Sequence, residues 1–358
     1  MKDKAISLLK SLTEAHSVPG YEDEVREIFS KELSAMGDIS TDHMGGVYCE
    51  RGDGPKILLA GHMDEVGFRV QHITPDGFIK FLPVGGWWAH TLLSQRVYVK
   101  TSSGAKVLGV ISSKPPHFLP TSERNKVMAL GALFIDVGAA SDEEAERDFG
   151  IRLGDPIAPD TEFTAMQKRD YYMAKAFDNR VGMACAIQTA QELSCEKIPN
   201  TLIVSGTVQE EVGLRGSKVA AVKTKPDVTI VLEGPPADDA PGFPKNEAQG
   251  KLGGGVQVRM QDPTAIMNPK LVQLVVETAE QEAIRYQLTM RSSGGTDAGS
   301  FHQANEGIPS IVLGTPARYI HSHNGVIDIN DYLEMVKLSK ALVRKLDAAT
   351  VAGLTEYL

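Results

Sequence analysis

The spacing of hydrophobic residues changes twice along the chain. In the first 36 residues, apolar side chains recur at helical spacing in two segments, which the turn signal at residues 17–20 separates. This pattern predicts two amphipathic helices, and the apolar run at residues 56–60 predicts a buried strand. After residue 174, strand and helix patterns alternate, which is typical of an α/β fold. The predicted strands there cover residues 202–208, 228–232 and 310–313, and the predicted helices cover 181–193, 268–286 and 330–348.

Between these two parts, the sequence pattern is typical of a β protein. Five short runs alternate apolar and polar residues with a period of two, and turn signals such as Asp76-Gly77 join them. This pattern predicts a compact all-β, barrel-like domain. Because the α/β pattern resumes after it, we predict an insertion at residues 68–164 into a discontinuous α/β domain of residues 1–67 and 165–358. That domain should contain a mixed, largely parallel sheet with helices on both faces.

Charge and cysteine content exclude several classes of partner. The 358-residue chain has a net charge of -9 and a pI of about 5.5, which argues against nucleic acid or an anionic membrane surface as a partner. No stretch approaches 18 uncharged apolar residues, so we expect no membrane span. The three cysteines are scattered and form no CxxC motif, which favours a reducing compartment such as the cytoplasm.

Candidate ligands and catalytic groups lie at the ends of the predicted strands. Each has an ordinary explanation by itself, since an Asp before a helix can be an N-cap and a Glu in a turn can be solvated. However, the carboxyl ends of parallel strands meet at one edge of the sheet, so residues far apart in sequence can converge there. The residues concerned are His62 and Asp64, Asp178, the pair Glu210 and Glu211, Glu233, and His321 or His323.

These residue types suit a pair of divalent metals that share a bridging carboxylate. Two histidines and three carboxylates provide too few nitrogens for two separate His-rich sites. A dinuclear centre of this kind can activate a water molecule and stabilise a tetrahedral transition state. One further carboxylate is then needed to move protons. Glu210 is available for that role.

The ordered set of motifs resembles the dinuclear metallo-aminopeptidase family that includes glutamyl aminopeptidase, deblocking aminopeptidase and the tetrahedral (TET) aminopeptidases. No single motif is specific, but the set covers essentially the whole chain. The motifs are residues 61–67, 176–180, 209–213, 232–234, 295–298 and 318–322.

The resemblance implies a role for each candidate residue. Glu210 would be the general base and then the general acid, and Asp64 would orient His62. Many relatives carry Asp where Glu233 stands and Pro where His323 stands, so the sequence leaves open whether His323 contributes to the site. In the implied centre, Asp178 bridges the two metals, His62 and Glu233 complete one metal, and Glu211 and His321 complete the other.

The resemblance also implies an activity and an assembly. The expected reaction is removal of the amino-terminal residue from short peptides, with two divalent cations, Zn or Co, in each subunit. The β insertion would be a dimerisation domain, and the dimers would assemble into a tetrahedral dodecamer. The preferred amino-terminal residue remains open among acidic, apolar, basic and broad preferences.

Other functions are compatible with parts of the pattern. An N-acyl-amino-acid deacylase or a carboxypeptidase could use the same dinuclear chemistry. A glycoside hydrolase could use the carboxylate pair, although it would need no metal-binding histidines. A non-catalytic peptide-binding protein would not need the complete ligand set together with an additional Glu210.

Overall fold

The computed structural model describes residues 2–358. Before the barrel, the chain forms α1 (Lys2–Glu14), α2 (Asp23–Leu33), β1 (Asp38–Thr41), β2 (Val47–Gly52) and β3 (Lys56–His62). The barrel segment contains β4 (Gly67–Ile73), β5 (Ile79–Val84), β6 (Arg96–Lys100), β7 (Lys106–Ser112), β8 (Phe134–Asp136), α3 (Asp142–Arg147) and β9 (Pro156–Pro159). The remainder contains β10 (Thr164–Ala165), β11 (Tyr171–Ala174), α4 (Phe177–Leu193), β12 (Thr201–Thr207), α5 (Arg215–Thr224), β13 (Val228–Glu233), β14 (Val256–Asp262), β15 (Ala265–Ile266), α6 (Pro269–Gln281), β16 (Tyr286–Met290), α7 (Ala298–Phe301), β17 (Ser310–Gly314), β18 (Ala317–Arg318), β19 (Gly325–Asp328), α8 (Ile329–Lys345) and α9 (Ala348–Leu354).

A nine-stranded mixed sheet forms the centre of the α/β part. Its order is β1-β2-β12-β3-β13-β17-β14-β15, and β16 also pairs with β14. The four neighbours β12, β3, β13 and β17 are mutually parallel, so their carboxyl ends share one edge. The outer pairs β2 with β12 and β14 with β17 are antiparallel. The predicted mixed, largely parallel sheet is therefore confirmed.

Helix α4 lies against the middle of this sheet and positions the segment that precedes it. Two glycines make the close approach possible, because a Cβ atom on Gly182 would lie 2.1 Å from the Leu232 carbonyl oxygen and one on Gly61 would lie 2.9 Å from the Met183 nitrogen. The helix is buried along most of its length, between the sheet and helices α1 and α8. The amino-terminal end of α4 is thereby held beside the ends of β3 and β13.

The barrel closes on itself in the order β4-β5-β8-β7-β6-β9, and β9 pairs with both β4 and β6. Its interior is filled by a separate apolar cluster that includes Phe68, Ile79, Ile111 and Ile135. The predicted barrel-like insertion is confirmed as an element of the fold. The domain division at residues 68 and 164 stays a prediction.

A second, four-stranded antiparallel sheet, β10-β11-β19-β18, lies outside the central sheet. The connection between β18 and β19, residues 319–324, carries His321. None of the helices in residues 2–358 has the length and apolar character that crossing a bilayer requires.

Two helix predictions extended too far. The helix predicted to reach Tyr286 ends at Gln281, because Ala283 adopts a positive φ of 52° and the chain then enters strand β16, which pairs with β14. The last helix ends at Lys345, and Asp347 starts the separate helix α9 by accepting a hydrogen bond from the Thr350 N–H. In both regions the apolar spacing continued past a local break in the backbone.

Candidate metal centre

Asp178 lies between two histidines from different parts of the chain. Its Oδ1 is 3.2 Å from His62 Nε2, and its Oδ2 is 3.4 Å from His321 Nε2. His62 is the last residue of β3, and Asp178 has non-helical backbone angles at the start of α4. One carboxylate thus presents one oxygen to each imidazole, which is the arrangement that a bridging ligand requires.

Two glutamates extend this arrangement on either side of Asp178. Glu211 Oε2 lies 3.3 Å from His321 Nε2, and Glu233 Oε2 lies 3.8 Å from His62 Nε2. Glu211 follows β12, and Glu233 ends β13. His62 and Glu233 therefore lie on one side of Asp178. His321 and Glu211 lie on the other side.

The Glu210 carboxylate lies on the His62 side, with its Oε2 3.9 Å from His62 Nε2. Ligand atoms of His62, Glu210 and Glu233 lie within 4.8 Å of one another, as do those of His62, Asp178 and Glu211. Distance alone would thus allow Glu210 to be a ligand. The two oxygens of Asp178 divide the centre into two halves, because each oxygen faces a different histidine.

Asp64 contacts the centre through both its backbone and its side chain. The Asp64 carbonyl oxygen lies 3.0 Å from His62 Nδ1, and the carboxylate is further away at 3.6 Å. The carboxylate oxygens instead accept hydrogen bonds from the backbone N–H groups of Glu210 and Glu211, each 3.0 Å long. Asp64 therefore connects the end of β3 to the turn after β12.

The charges in the centre are strongly coupled. Burial opposes ionisation of Asp178, but hydrogen bonds from His321 and His62 outweigh it and hold the Asp178 pKa well below its usual range. Burial also opposes protonation of His321, yet Asp178 and Glu211 raise its pKa to about 11. The pKa of Glu233 is raised to about 8, chiefly by burial. Burial likewise raises the pKa of Glu210, and the positive charge of His62 offsets this only in part.

The donor set suits divalent cations. It combines two imidazole nitrogens with several carboxylate oxygens, the mixture that Zn²⁺ and similar borderline metals accept. Two buried carboxylate oxygens, Oε1 of Glu211 and Oε1 of Glu233, have no hydrogen-bond partner among residues 2–358. Buried oxygens without partners are costly unless a cation or a donor satisfies them. The residues present therefore fit a metal centre.

A cavity of about 610 Å³ opens beside these ligands. Its lining also includes Arg259 and the glycine-rich loop at residues 293–296. Arg259 donates to Asp262 over 3.3 Å, and its Nε has no partner within the described part of the chain. Two other arginines, Arg318 and Arg291, pair with Asp239 and Asp238. Of these three arginines, only Arg259 lines this cavity.

His323 packs against the barrel. Its ring is buried 5.6 Å from the Trp87 ring, and neither ring nitrogen has a partner among residues 2–358. Burial lowers its pKa to about 4. Strand alternation would place His321 and His323 on one face, but Tyr319 and His321 have positive φ angles in the loop at residues 319–324, so alternation does not apply there.

Sequence reasoning assigned no role to two features of the site. Asp297, within one of the quoted motifs, is buried and accepts a 2.6 Å hydrogen bond from Thr207 at the end of β12. The barrel also reaches the centre, because a Cβ atom on Gly86 would lie 3.3 Å from His321 Nδ1. The motif at residues 295–298 was a signal for Asp297. The Gly85-Gly86 pair was a signal for close approach of the backbone.

Comparison with known proteins identifies the family. The model of the M42 glutamyl aminopeptidase family matches residues 45–338. The chain belongs to this family. It is 35% identical to the glutamyl aminopeptidase of Lactococcus lactis, over 98% of both chains.

Solved structures of the M42 type share the whole fold. A TET aminopeptidase from a marine sediment Thaumarchaeota archaeon is 42% identical, with a TM-score of 0.95 over 99% of both chains. The TET1 peptidase of Pyrococcus horikoshii, which can assemble into a tetrahedron or a large octahedral shell, is 31% identical. Its TM-score is 0.85 over 96% of this chain and 100% of its own. These relatives support metal-dependent aminopeptidase activity for the M42 chain described here.

Proposed function

We propose that this chain is an aminopeptidase with a dinuclear metal centre that removes amino-terminal residues from short peptides. The observation that carries the proposal is the position of Asp178, whose two oxygens face His62 and His321 at 3.2 and 3.4 Å. In this proposal Asp178 would contribute to both cation sites. His62 and Glu233 would hold one cation, and Glu211 and His321 would hold the other.

The proposed cations are Zn²⁺ or Co²⁺, and the donor set supports either one. When bound, such ions polarise the scissile carbonyl group and make a water molecule acidic enough to attack it. The protein's own contribution is to move the protons. Glu210 is suited to this role, because burial raises its pKa and it lies 3.9 Å from His62 without being needed as the bridging ligand. We propose that its Oε2 takes a proton from the attacking water and then delivers it to the leaving amine.

Asp64 is proposed as a positioning residue for this chemistry. Its carboxylate holds the backbone of Glu210 and Glu211, and its carbonyl oxygen fixes the Nδ1 side of His62. A ligand or a base that is held by a second group needs less reorganisation during the reaction.

The assembly and the location of the chain are also proposals. We propose that the barrel, residues 68–164, is a dimerisation domain and that the chain forms a homo-oligomer, with a tetrahedral dodecamer as the specific expectation. The P. horikoshii relative supports this, since it can assemble into a tetrahedron or a large octahedral shell. Light scattering on the purified protein should give the mass of twelve chains.

The three free cysteines, Cys49, Cys185 and Cys195, support a cytoplasmic location.

The deciding experiment measures amino acids released from short peptides by metal-stripped protein and by protein reloaded with Zn²⁺ or Co²⁺. The peptides carry Glu, Leu or Lys at the amino terminus, and each is tested free and N-acetylated. Sequential release from free peptides, only with metal, is the expected result. Cleavage of acetylated substrates alone would favour a deacylase, and no cleavage with either metal would favour a binding protein. The amino-terminal residue that is released fastest identifies the side chain that the cavity lined by Arg259 prefers.

A further inference from the structure

A second cavity, of about 670 Å³, is also lined by His321. One wall comes from the barrel loop at residues 85–95, and the other comes from residues 319–324. We call this space the aromatic cleft. Its lining residues are Gly86, Trp87, Trp88, Thr91, Gln95, Tyr319, Ile320, His321, Ser322, His323 and Asn324.

The aromatic cleft adjoins the metal centre directly. His321 and Ile320 line both this cleft and the 610 Å³ cavity beside the metal ligands. A peptide held at the centre can therefore extend from the metal-side cavity into the aromatic cleft. The size of the cleft falls within the range of roughly 300–1,000 Å³ that ligand sites occupy.

The two cavities differ in chemistry. The metal-side cavity is lined by Asp178, three glutamates and Arg259. The described residues around the aromatic cleft include no Asp, Glu, Lys or Arg. Trp88 and Tyr319 lie there with exposed fractions of 67% and 55%. Large exposed aromatic side chains beside a site are typical of binding surfaces.

The barrel loop is held firmly in this position. Trp87 donates from Nε1 to the Gly67 carbonyl oxygen over 3.0 Å and stacks on Phe68 with ring centroids 4.7 Å apart. Gly86 packs against His321 without a side chain between them. Trp88 follows these anchored residues and contacts only the His90 ring among aromatic neighbours in residues 2–358, at 4.5 Å. Its indole face is therefore available to a ligand.

We infer that the aromatic cleft binds the part of the peptide that follows the cleaved bond, and that Trp88 selects an apolar or aromatic side chain at the first position there. The inference rests on the proposed aminopeptidase function. A lining rich in aromatic side chains and without Asp, Glu, Lys or Arg favours neutral peptide residues over charged ones, because burying an unpaired charge is costly. The side chains of Gln95 and Asn324 in the lining can exchange hydrogen bonds with the peptide backbone.

The test compares three substrates that share the amino-terminal residue X, chosen as the one that wild-type protein releases fastest. They are the tripeptides X-Phe-Gly and X-Gly-Gly and the primary amide of X, which has no residue after the cleaved bond. Wild-type protein should have a higher kcat/KM for X-Phe-Gly than for X-Gly-Gly. Trp88→Ala should lower this ratio about tenfold, the size expected for losing one aromatic contact. Loss of metal or of folded protein would lower both values equally and would leave the ratio unchanged.

Three further variants test whether the change in ratio is specific to the aromatic cleft. Phe118 is also an exposed barrel aromatic, 70% accessible, but it does not line the aromatic cleft, so Phe118→Ala should retain the wild-type ratio. Trp88→Phe should retain most of it, and Tyr319→Ala, on the opposite wall, should reduce it. Tyr319→Ala also serves as the test if Trp88→Ala cannot be purified.

Three results would overturn the inference. The first is a wild-type ratio near one, and the second is a ratio that Trp88→Ala leaves unchanged. The third is a change of oligomer mass in Trp88→Ala at a constant ratio, which would show that a second copy of the chain covers the cleft. Failure of the proposed function is distinguishable, because wild-type protein would then release X from neither the tripeptides nor the amide.

Discussion

One carboxylate oxygen of Asp64 accepts a 3.0 Å hydrogen bond from the backbone N–H of Glu210. The other oxygen makes the equivalent bond to Glu211. Asp64 is fully buried and follows β3, whereas the two glutamates follow β12. The relative position of the proposed base and of one proposed ligand therefore depends on a carboxylate that contacts their backbone.

We predict that Asp64→Asn lowers both stability and turnover. The amide has one oxygen in place of two, so one buried backbone N–H loses its partner, at a cost of about 1–3 kcal/mol. Displacement of Glu210 should also reduce kcat by at least about tenfold. Thermal unfolding and steady-state kinetics provide the measurements. Asp53→Asn, at an exposed aspartate, is the control, and wild-type kcat in Asp64→Asn would contradict the positioning role.

We predict that Glu210→Gln abolishes most turnover and leaves metal binding intact. The amide cannot accept the proton from water, and general-base catalysis typically contributes about 10²–10⁴-fold. Elemental analysis should find the same metal content as in wild-type protein. Glu247→Gln, at an exposed position outside the cavity, should behave as wild type. Unchanged turnover in Glu210→Gln would exclude Glu210 as the base, and loss of metal would make it a ligand.

We predict that Zn²⁺ stabilises the metal-stripped protein against heat. A cation that binds only the folded chain stabilises it by about 2.7 kcal/mol at one hundred times its Kd. Glu233→Gln should weaken this effect, because it removes a carboxylate whose Oε2 lies 3.8 Å from His62 Nε2. The readout is the Tm as a function of Zn²⁺ concentration, with Glu143→Gln in the exposed acidic part of the barrel as the control. Equal Zn²⁺ dependence in both variants would exclude Glu233 from the centre.

We predict a pH-dependent loss of stability in Glu24→Gln. Glu24 on α2 pairs with Lys100 and Lys106 of the barrel, at 2.9 Å each, and accepts from the His16 backbone N–H. Burial opposes ionisation of Glu24, but these three partners outweigh it and lower its pKa from 4.5 to about 2. A lowered carboxyl pKa contributes stability that is fully present above pH 4.5 and is lost as the pH falls through about 2.

Because Glu24 is partly exposed, solvent screening should limit its contribution to about 1 kcal/mol at pH 7. Denaturant unfolding at pH 7 and at pH 3 measures the difference between wild type and Glu24→Gln, which should be smaller at pH 3. Glu27→Gln, on the exposed side of the same helix, should change stability little at either pH. A difference that grows towards pH 3 would contradict this account of the α2–barrel contact.

Much of the architecture was predictable because its signals are local. The period-two runs of the barrel and the apolar runs of β3, β12 and β13 appear in short windows of sequence. The errors arose where local spacing continued beyond a backbone break, as at Ala283, or where a strand such as β16 depends on pairing with a distant partner. Pairing of that kind has no signal within the strand itself.

The candidate site was predictable for a related reason. The ends of parallel strands share an edge, so the histidine that ends β3, the glutamates after β12 and the glutamate that ends β13 are brought together by topology alone. His323 shows the limit of this reasoning. Strand alternation could have placed it beside His321, but the positive φ angles of Tyr319 and His321 turn that loop, and His323 packs against Trp87.

The sequence by itself determined which elements form, which residue types stand at their ends, and hence the chemistry available to the centre. Only the tertiary structure decided that Asp178 presents one oxygen to each histidine, that Asp64 holds the backbone of Glu210, and that a barrel loop carries Trp88 to the side of His321. These relationships depend on the close approach of α4 to the sheet at Gly61 and Gly182. They also depend on the packing of the barrel against the α/β part, as at Gly86 and His321. Periodicity and strand ends are properties of short segments, whereas such distances result from packing between segments that are far apart in the chain.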